Sequence, residues 1–448
     1  MSDTSTLKRD LSLTQAIALN MIDMVGIGPF IVLPIVLQIM GGPQHIAAWI
    51  AGAVLALIDG LIWAELGAAM PRAGGSYVFL REAYGKHWGK LMSFLFIWQT
   101  MIQAPLVIAS GSIGFAQYLS YLVPLTDITR RMVSGSLVII LTILLYRKIS
   151  TVGKISVMLW IGVLGTMAWF IFGGLSHFDS ALAFSYPKGA WDFTWAFWVV
   201  LGQATVQTMY SYLGYYNVCH LGAEIREPQK NIPRAIFISI IGIAVLYLAM
   251  QFAVIGVIPW QEAQHSQFIV STLIEKVYGT TAATIATILV LWIAFSSLFA
   301  VMLGYSRIPY AAAVDGNFFS VMGKVHLTKN FPHIALLWLG AAAFVFSLLF
   351  KLADVIKAIL AMRILVQFIG GAVGVMILRK TLGADKIPFK MWLYPLPAIM
   401  AIFLWGSILL STGSAFALSG VGVMIAGTIV FLIRSKINNV WPFNPEGH

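Results

Sequence analysis

The residues whose types and spacing most suggest a functional site lie in the middle of the first long apolar segment. Asp23 stands there a few positions before Gly26, Gly28 and Pro29. Proline removes a backbone donor and clashes with the preceding helical turn, and glycine leaves helical geometry at little cost. Freed backbone groups deep in an apolar segment are tolerated only where they are buried in protein or line a cavity. The pattern therefore predicts a discontinuous helix beside an acid.

A second interruption is predicted within residues 208–217, where polar groups crowd around Gly214. It falls in the sixth long apolar segment, so the two interruptions would correspond in two halves of five segments each. Paired interruptions of this kind favour a transporter site. Amides at a half-helix N-terminus suit a carboxylate and freed carbonyls suit an ammonium group, so one site could recognise both ends of an α-amino acid. The alternative is that the glycines only permit close helix packing.

The composition places these interruptions in a membrane. The chain has 448 residues, of which 59% are hydrophobic and 10% charged, whereas a soluble domain is usually about one quarter charged. About twelve apolar blocks have the length that a helix needs to cross a bilayer. They are predicted at 13–39, 46–70, 91–122, 132–149, 153–175, 195–220, 234–258, 281–310, 332–350, 353–378, 392–412 and 414–434. The sequence thus predicts an all-α membrane protein, 1–448, without a separate soluble domain.

The net charge of +11 has a distribution that indicates topology. If the N-terminus is cytoplasmic and the blocks alternate, most lysines and arginines fall in inside loops, which is the positive-inside pattern. Both termini are predicted to be cytoplasmic in a multi-pass protein of the cell membrane. The positive charge is then explained by topology and anionic lipid, and no nucleic-acid partner is expected. The start of the chain lacks the pattern of a cleaved signal peptide.

Four stretches resemble one transporter family. They are the glycine-rich break 26–28, the segment 63–77 (WAELGAAMPRAGGSY), Gly214 with 224–236 (EIREPQKNIPRAI), and 306–316 (SRIPYAAAVDG). Together, and in this order, they are similar to the amino acid–polyamine–organocation transporters over nearly the whole chain. The fourth match lacks the family's proline after Asp-Gly. The family's lysine inside helix five is also absent, because Lys154 lies at the start of that helix.

The resemblance implies a leucine-transporter-type fold of two inverted five-helix repeats, here 1–175 and 195–378, with helices one and six broken. Two peripheral helices would occupy 392–434. It also implies that the substrate carboxylate meets the amides of Gly26, Ile27 and Gly28, and that the amine meets carbonyls of Ile22 and 210–212. The candidate substrate-binding residues are Ile22, Asp23, Val25, Gly26, Ile27, Gly28, Tyr210, Ser211, Tyr212, Leu213 and Gly214.

Ionisable and hydroxyl residues within the blocks are candidates for coupling or gating, because charge inside a membrane is costly. Asp23 could attract a cationic group, bind sodium or take up a proton, or it could simply cap the broken helix. Relatives of this fold bind sodium with a hydroxyl pair on helix eight, here Ser296 and Ser297. Glu65 fits an inner-gate or packing role. Arg363 needs a partner, for which Asp354 or a carbonyl is available, and it could also meet an anionic cargo.

The other polar residues favour structural roles. Asp59 is either a hydrogen-bond hub or functional, and the cluster from Glu224 to Arg234 is expected to be solvated at the cytoplasmic mouth. The single Cys219 excludes a disulfide framework. No P-loop or His-Glu-x-x-His motif is present, so neither an ATP-driven pump nor a zinc enzyme is indicated.

These features predict a secondary transporter of amino acids that works by alternating access, coupled to protons or acting as an exchanger. No cofactor or bound metal is expected beyond H⁺ or Na⁺ as coupling ion. The expected partners are a small amino acid or amine and the lipid bilayer, and the oligomeric state is open. The alternatives are a polyamine or cationic amine carrier, an uncoupled exchanger, a channel or receptor, and a membrane enzyme.

Overall fold

The computed structural model describes residues 7–349 and 352–444, without the side chains of 352–356, 358 and 384. In the first part of the chain each predicted apolar block contains a helix, and the first block contains two. The helices are α1 (Leu13–Met24), α2 (Gly28–Met40), α3 (Ile46–Ala69), α4 (Ser76–Ala83), α5 (Gly85–Leu119), α6 (Asp127–Leu145), α7 (Ile149–Ser176) and the short α8 (Ser180–Ala183).

The second part of the chain continues with α9 (Trp195–Tyr212), α10 (Asn217–His220), α11 (Pro228–Ile255), α12 (Trp260–Ala263), α13 (Ile269–Tyr278), α14 (Thr280–Val314), α15 (His333–Leu349), α16 (Leu352–Arg363), α17 (Gly370–Leu382), α18 (Leu396–Ser411) and α19 (Ser414–Ile437). A π-helical segment, Ile364–Ile369, joins α16 to α17 directly after Arg363. Such segments are frequent at functional sites.

Most of the predicted blocks have membrane-spanning length. Among the described residues, 8 helices are long and apolar enough to cross a bilayer, and α1 with α2 forms one further bent span. Two shorter apolar helices, α15 and α18, fall in blocks nine and eleven, and α9 falls in block six. The membrane-helix prediction is confirmed, while the division into repeats at 1–175 and 195–378 stays a prediction.

Both predicted helix interruptions are present. The axes of α1 and α2 differ by 43° across the break between Met24 and Gly28. In the sixth block, Gly214 separates α9 from α10 with a φ of +123°, in the region that L-residues with a side chain rarely adopt. A Cβ at Gly214 would also lie 2.9 Å from Cγ of Asp23. The second break therefore needs glycine both for its backbone conformation and for its approach to the first break.

One end of the bundle is closed by polar contacts, and we refer to this as the closed end. The backbone of Leu11 pairs with the segment around Ile225, and Ala73 pairs with Leu221. Arg307 of α14 forms a bidentate ion pair with Glu224, with Nε–Oε2 and Nη2–Oε1 distances of 3.0 and 2.9 Å. Glu224 is fully buried, so the expectation of a solvated cluster was wrong for this residue. Its partner follows it by 83 positions, which local sequence does not reveal.

Candidate functional site

A cavity lies between the two helix breaks, near the middle of the bundle. The first break contributes Asp23 and the backbone of 26–28, and α14 and α16 contribute polar and apolar side chains. Its lining residues are Asp23, Met24, Gly26, Ile27, Gly28, Val107, Gly111, Tyr210, Ser211, Leu213, Gly214, Tyr216, Ala294, Ser297, Leu298, Val301, Tyr305, Ile359 and Arg363.

The first break presents backbone donors at the N-terminus of α2. The N–H of Gly26 donates to the carbonyl of Met24 at 3.0 Å. The N–H groups of Ile27 and Gly28 have no acceptor within the described part of the chain, and no side chain caps α2. Unpaired N–H groups at a helix N-terminus carry partial positive charge and bind anions. Two of the three predicted carboxylate amides are therefore free, and the third is used within the break.

The second break is tied to the first by a shared donor. The hydroxyl of Tyr247 donates to the carbonyl of Met24 at 2.7 Å and to that of Ser211 at 3.1 Å. Asn20 bridges the breaks further along, because its amide donates to the carbonyl of Tyr215 and accepts from the N–H of Val218. These bonds satisfy some freed backbone groups and hold the two half-helices at a fixed separation.

The carboxylate of Asp23 faces this cavity without a hydrogen-bond donor among the described residues. Its side chain is half-buried, and it makes no bond to the amides of Ile27 or Gly28. The simple capping role considered for Asp23 is therefore absent. Its carbonyl accepts a hydrogen bond from the Ser297 hydroxyl at 3.1 Å. The first break thus offers a free carboxylate and free amides on the same cavity.

The serine pair of α14 separates into two environments. Ser297 lines the cavity and contacts the first break, whereas the Ser296 hydroxyl donates to the carbonyl of Trp292 within its own helix at 2.7 Å. Neighbouring residues on a helix point about 100° apart, so only one of the two can face the break in this arrangement. The described residues contain no cluster of three His, Cys, Asp or Glu side chains suited to a metal ion.

Arg363 enters the cavity from α16 with an incomplete set of partners. Its Nη1 donates to the hydroxyl of Tyr216, and its guanidinium lies 5.5 Å and 5.2 Å from the ring centroids of Tyr216 and Tyr305. Its Nε and Nη2 are buried and have no acceptor among the described residues. The partner suggested from sequence, Asp354, has a side chain outside the described residues. Along α16 it lies nine residues away, about 13 Å by helix geometry.

Glu65 and Asp59 lie outside the cavity and have saturated contacts. Glu65 forms a bidentate ion pair with Arg379 of α17, with distances of 2.5 and 2.6 Å, and also accepts from the N–H of Met391. Asp59 accepts three hydrogen bonds, from the side chains of Trp63, Tyr215 and Trp405. Glu65 joins α3 to α17, which fits packing or an inner gate, and Asp59 is the hydrogen-bond hub considered from sequence.

The predicted site residues divide into two groups. Ten of them line the cavity. Five do not: Ile22, Val25, Glu65, Tyr212 and Ser296. Tyr212 packs instead against Trp49 and Tyr247, with ring centroids 6.1 and 5.3 Å apart. Tyr210 is the tyrosine of α9 that reaches the cavity, where its hydroxyl lies 3.0 Å from that of Ser110. The roles of these residues in binding stay predictions.

Several lining residues were missed from sequence. On α14, Ala294, Leu298, Val301 and Tyr305 line the cavity beside the predicted Ser297, at three- and four-residue intervals, which places them on one helical face. If Ser297 is known to face the cavity, this spacing predicts the other lining residues of α14. By itself the spacing is no signal, because apolar residues at helical intervals are ordinary in a membrane helix. For Tyr216, only its position two residues after Gly214 could have indicated a place in the cavity.

The position where related carriers hold a lysine in helix five is occupied by aromatic packing. Lys154 is exposed at the start of α7. Deeper in α7, Trp160 donates to the sulfur of Met21, and Trp292 of α14 packs at Gly162 and donates to the carbonyl of Leu159. No base of α7 thus approaches the first break within the described structure.

A cavity between two broken membrane helices, with free amides on one side, defines a membrane transporter rather than an enzyme. Comparison with known proteins assigns the family: the chain belongs to the amino acid permease family, whose model matches residues 11–433. This membership agrees with the resemblance seen in the sequence and with a leucine-transporter-type fold.

Relatives with named activities match most or all of the chain. A serine/threonine exchanger of Bacillus subtilis is 25% identical over 443 residues, covering 97% of this chain and 99% of the relative. An aspartate-proton symporter of the same species is 28% identical over 332 residues, covering 68% and 60%. The human cystine/glutamate transporter is 25% identical over 431 residues, covering 94% and 84%. The chain is thus similar both to an exchanger and to a proton symporter.

Proposed function

We propose that this permease carries amino acids across the cell membrane by alternating access, with the substrate held in the cavity between the two breaks. The observation that carries the proposal is the pair of free N–H groups at Ile27 and Gly28, facing the same cavity as the free carboxylate of Asp23. An α-amino acid has one group for each: its carboxylate suits the amides and its ammonium suits Asp23.

The second break completes this pocket. The hydroxyl of Ser211 is buried and has no partner among the described residues, and a Cβ at Gly28 would lie 3.4 Å from it. A carboxylate held at the amides of α2 would therefore be within reach of the Ser211 hydroxyl. The carbonyls at the C-terminal end of α9 offer further acceptors for the ammonium group, as predicted for residues 210–212.

A polyamine or cationic amine is the weaker candidate cargo. Such a substrate has no carboxylate for the amides of Ile27 and Gly28, and the cation of Arg363 lines the same cavity. Like charges in a cavity with apolar walls repel strongly. The relatives named as an exchanger and a symporter both transport amino acids by their printed names, which supports the same cargo class here.

Alternating access requires contacts that open and close. We propose that the helices of the two breaks rock against a scaffold that includes α5, α6, α14 and α15. With both termini in the cytoplasm, the closed end is the cytoplasmic end, held by Glu224–Arg307 and Glu65–Arg379. Opening toward the cytoplasm would then require these contacts to separate, or to move as a unit with either the broken helices or the scaffold.

The cargo class is tested by thermal unfolding of the purified permease with a panel of amino acids, polyamines and organic acids. A ligand that binds only the folded protein stabilises it by about 2.7 kcal/mol at one hundred times its dissociation constant. We expect one group of amino acids to raise the unfolding temperature and polyamines to leave it unchanged. Stabilisation by polyamines alone would reverse the assignment of the cargo.

We further propose that Asp23 is the proton site, since it is the free carboxylate of the cavity. Proton uptake with the substrate makes transport faster as the pH on the substrate side falls. Asp23→Asn should lose this pH dependence, which is measured as uptake into proteoliposomes at a series of external pH values. This variant should also bind the substrate more weakly, because the ammonium group loses its anionic partner. An Asp23→Asn variant with the wild-type pH profile would remove Asp23 as the coupling group and favour exchange or sodium coupling.

A further inference from the structure

Arg363 forms no ion pair among the described residues, although Asp23 of the same cavity is near enough to interact with it electrostatically. Arg363 is 1% exposed, and a guanidinium stays protonated in proteins. No described carboxylate oxygen lies within 4.0 Å of its nitrogens. Burying a cation without an anionic partner is costly. The two tyrosine rings and the Tyr216 hydroxyl reduce this cost, but they leave Nε and Nη2 free.

The two free nitrogens suit a particular ligand. Nε and Nη2 form one edge of the planar guanidinium, and this edge binds the two oxygens of a carboxylate in bidentate geometry. Arg307 shows this pairing in the same molecule, because its Nε and Nη2 donate to the two oxygens of Glu224. At Arg363 the same edge has no partner in the part of the chain that the structure describes. The edge is therefore available to a carboxylate brought by the substrate.

Two buried glutamines of α5 lie near the level of Arg363 along the bundle. Ile359 of α16 packs with Leu106 of α5, and a Cβ at Gly370 would lie 3.2 Å from Met92 of α5. These two contacts show that α5 and α16–α17 run antiparallel, which places the turns of Gln99 and Gln103 level with Arg363. The side-chain amides of both glutamines are fully buried and have no partner among the described residues. The side-chain amides of these two glutamines are therefore further donors at about the same height along the bundle as Arg363.

We propose that the permease prefers amino acids with a second carboxylate, and that Arg363 binds this side-chain carboxylate. The inference rests on the proposed function, which assigns the α-carboxylate to Ile27 and Gly28 and the ammonium to Asp23. A dicarboxylic amino acid then places its ammonium against Asp23, its α-carboxylate against the amides of α2 and its side-chain carboxylate against Arg363. A neutral amino acid leaves the Nε–Nη2 edge of Arg363 unpaired.

The test compares isosteric pairs of ligands: aspartate with asparagine, and glutamate with glutamine. Dissociation constants are measured by ligand-dependent thermal unfolding for the wild type, Arg363→Gln and Arg363→Lys. A charged hydrogen-bonded pair favours binding by about 10- to 100-fold. We expect the acidic member of one pair to bind the wild type more tightly by that factor, and Arg363→Gln to abolish this preference. Arg363→Lys should keep a reduced preference, because lysine is a point charge without the planar fork.

The outcomes separate this inference from the proposed function. Tight binding of neutral amino acids with no preference for the acidic isosteres would overturn the role of Arg363 and leave the cargo class intact. Binding of no amino acid at all would overturn both. If Arg363→Gln does not purify as folded protein, the acidic-to-neutral ratio of the wild type still decides, because a ratio of one or less contradicts the inference. An unchanged ratio in folded Arg363→Gln contradicts it as well.

Discussion

Two buried arginines of this permease have opposite surroundings. Arg307, at the closed end, donates to both oxygens of Glu224 and to the hydroxyl of Ser306. Arg363, at the central cavity, donates to Tyr216 and keeps two nitrogens without an acceptor in the described structure. The exposed fractions of the two residues are 2% and 1%, so burial does not distinguish them. The difference lies in their partners.

The comparison distinguishes polar groups that stabilise the fold by pairing with each other from polar groups that are available to bind a ligand. At the closed end, Glu224, Glu65 and their arginines satisfy one another. At the cavity, Asp23, two nitrogens of Arg363 and the amides at the start of α2 have no hydrogen-bond partner within the described residues. A protein tolerates such unpaired groups at a cost of stability where another molecule is to supply the partner.

The largest effect is expected from breaking the saturated pair. Glu224→Gln leaves the cation of Arg307 buried without its anion, which typically costs about 3–5 kcal/mol. We expect a large fall in the unfolding temperature of the purified protein. Glu227→Gln, which alters an exposed acid nearby, is the matched control and should leave the unfolding temperature near that of the wild type. Equal stability of both variants would mean that the Glu224–Arg307 pair does not hold the closed end.

A smaller effect on stability is expected at the unsaturated arginine. Arg363→Gln removes a buried charge that has no ion pair among the described residues, and burying such a charge is costly. Removing this cost offsets the loss of the contacts with Tyr216 and Tyr305. Without ligand, the unfolding temperature of this variant should lie above that of Glu224→Gln and close to that of the wild type. If Arg363→Gln is the less stable of the two, Arg363 supports the fold and the contrast between the two arginines is wrong.

An intermediate effect on stability is expected where the two breaks are tied together. Tyr247→Phe removes the donor shared by the carbonyls of Met24 and Ser211 and keeps the ring contact with Trp49, 5.4 Å away between centroids. Loss of these bonds should cost about 1–3 kcal/mol. Because the breaks would be held less firmly, we also expect weaker amino acid binding. Unfolding and ligand binding at wild-type values would show that the other contacts suffice.

The helix breaks were predictable because their cause is local. Two glycines next to a proline at 26–29, and a glycine among crowded polar residues at Gly214, indicated the interruptions. By contrast, a single proline such as Pro34 or Pro105 lies inside a continuous helix.

Which residues of a helix face the cavity depends on the rotation of that helix about its axis. The sequence does not determine this rotation for α14, so it could not favour Ser297 over Ser296. The partners of buried charges were hidden for another reason, since Arg363 meets Tyr216, 147 positions away. Such pairs arise only from packing.

The most direct test of the central claim is uptake of a radiolabelled mixture of amino acids into proteoliposomes that contain the wild type, Gly28→Val or Gly165→Val. A Cβ at Gly28 would lie 3.3 Å from the Tyr210 ring, so valine obstructs the cavity beside the amides. At Gly165 a Cβ would meet no described atom within 4 Å apart from its chain neighbours and the nearby backbone of its own helix. The account predicts saturable uptake with counterflow by the wild type and by Gly165→Val, and none by folded Gly28→Val. Uptake by Gly28→Val at the wild-type rate would contradict a binding site between the two breaks.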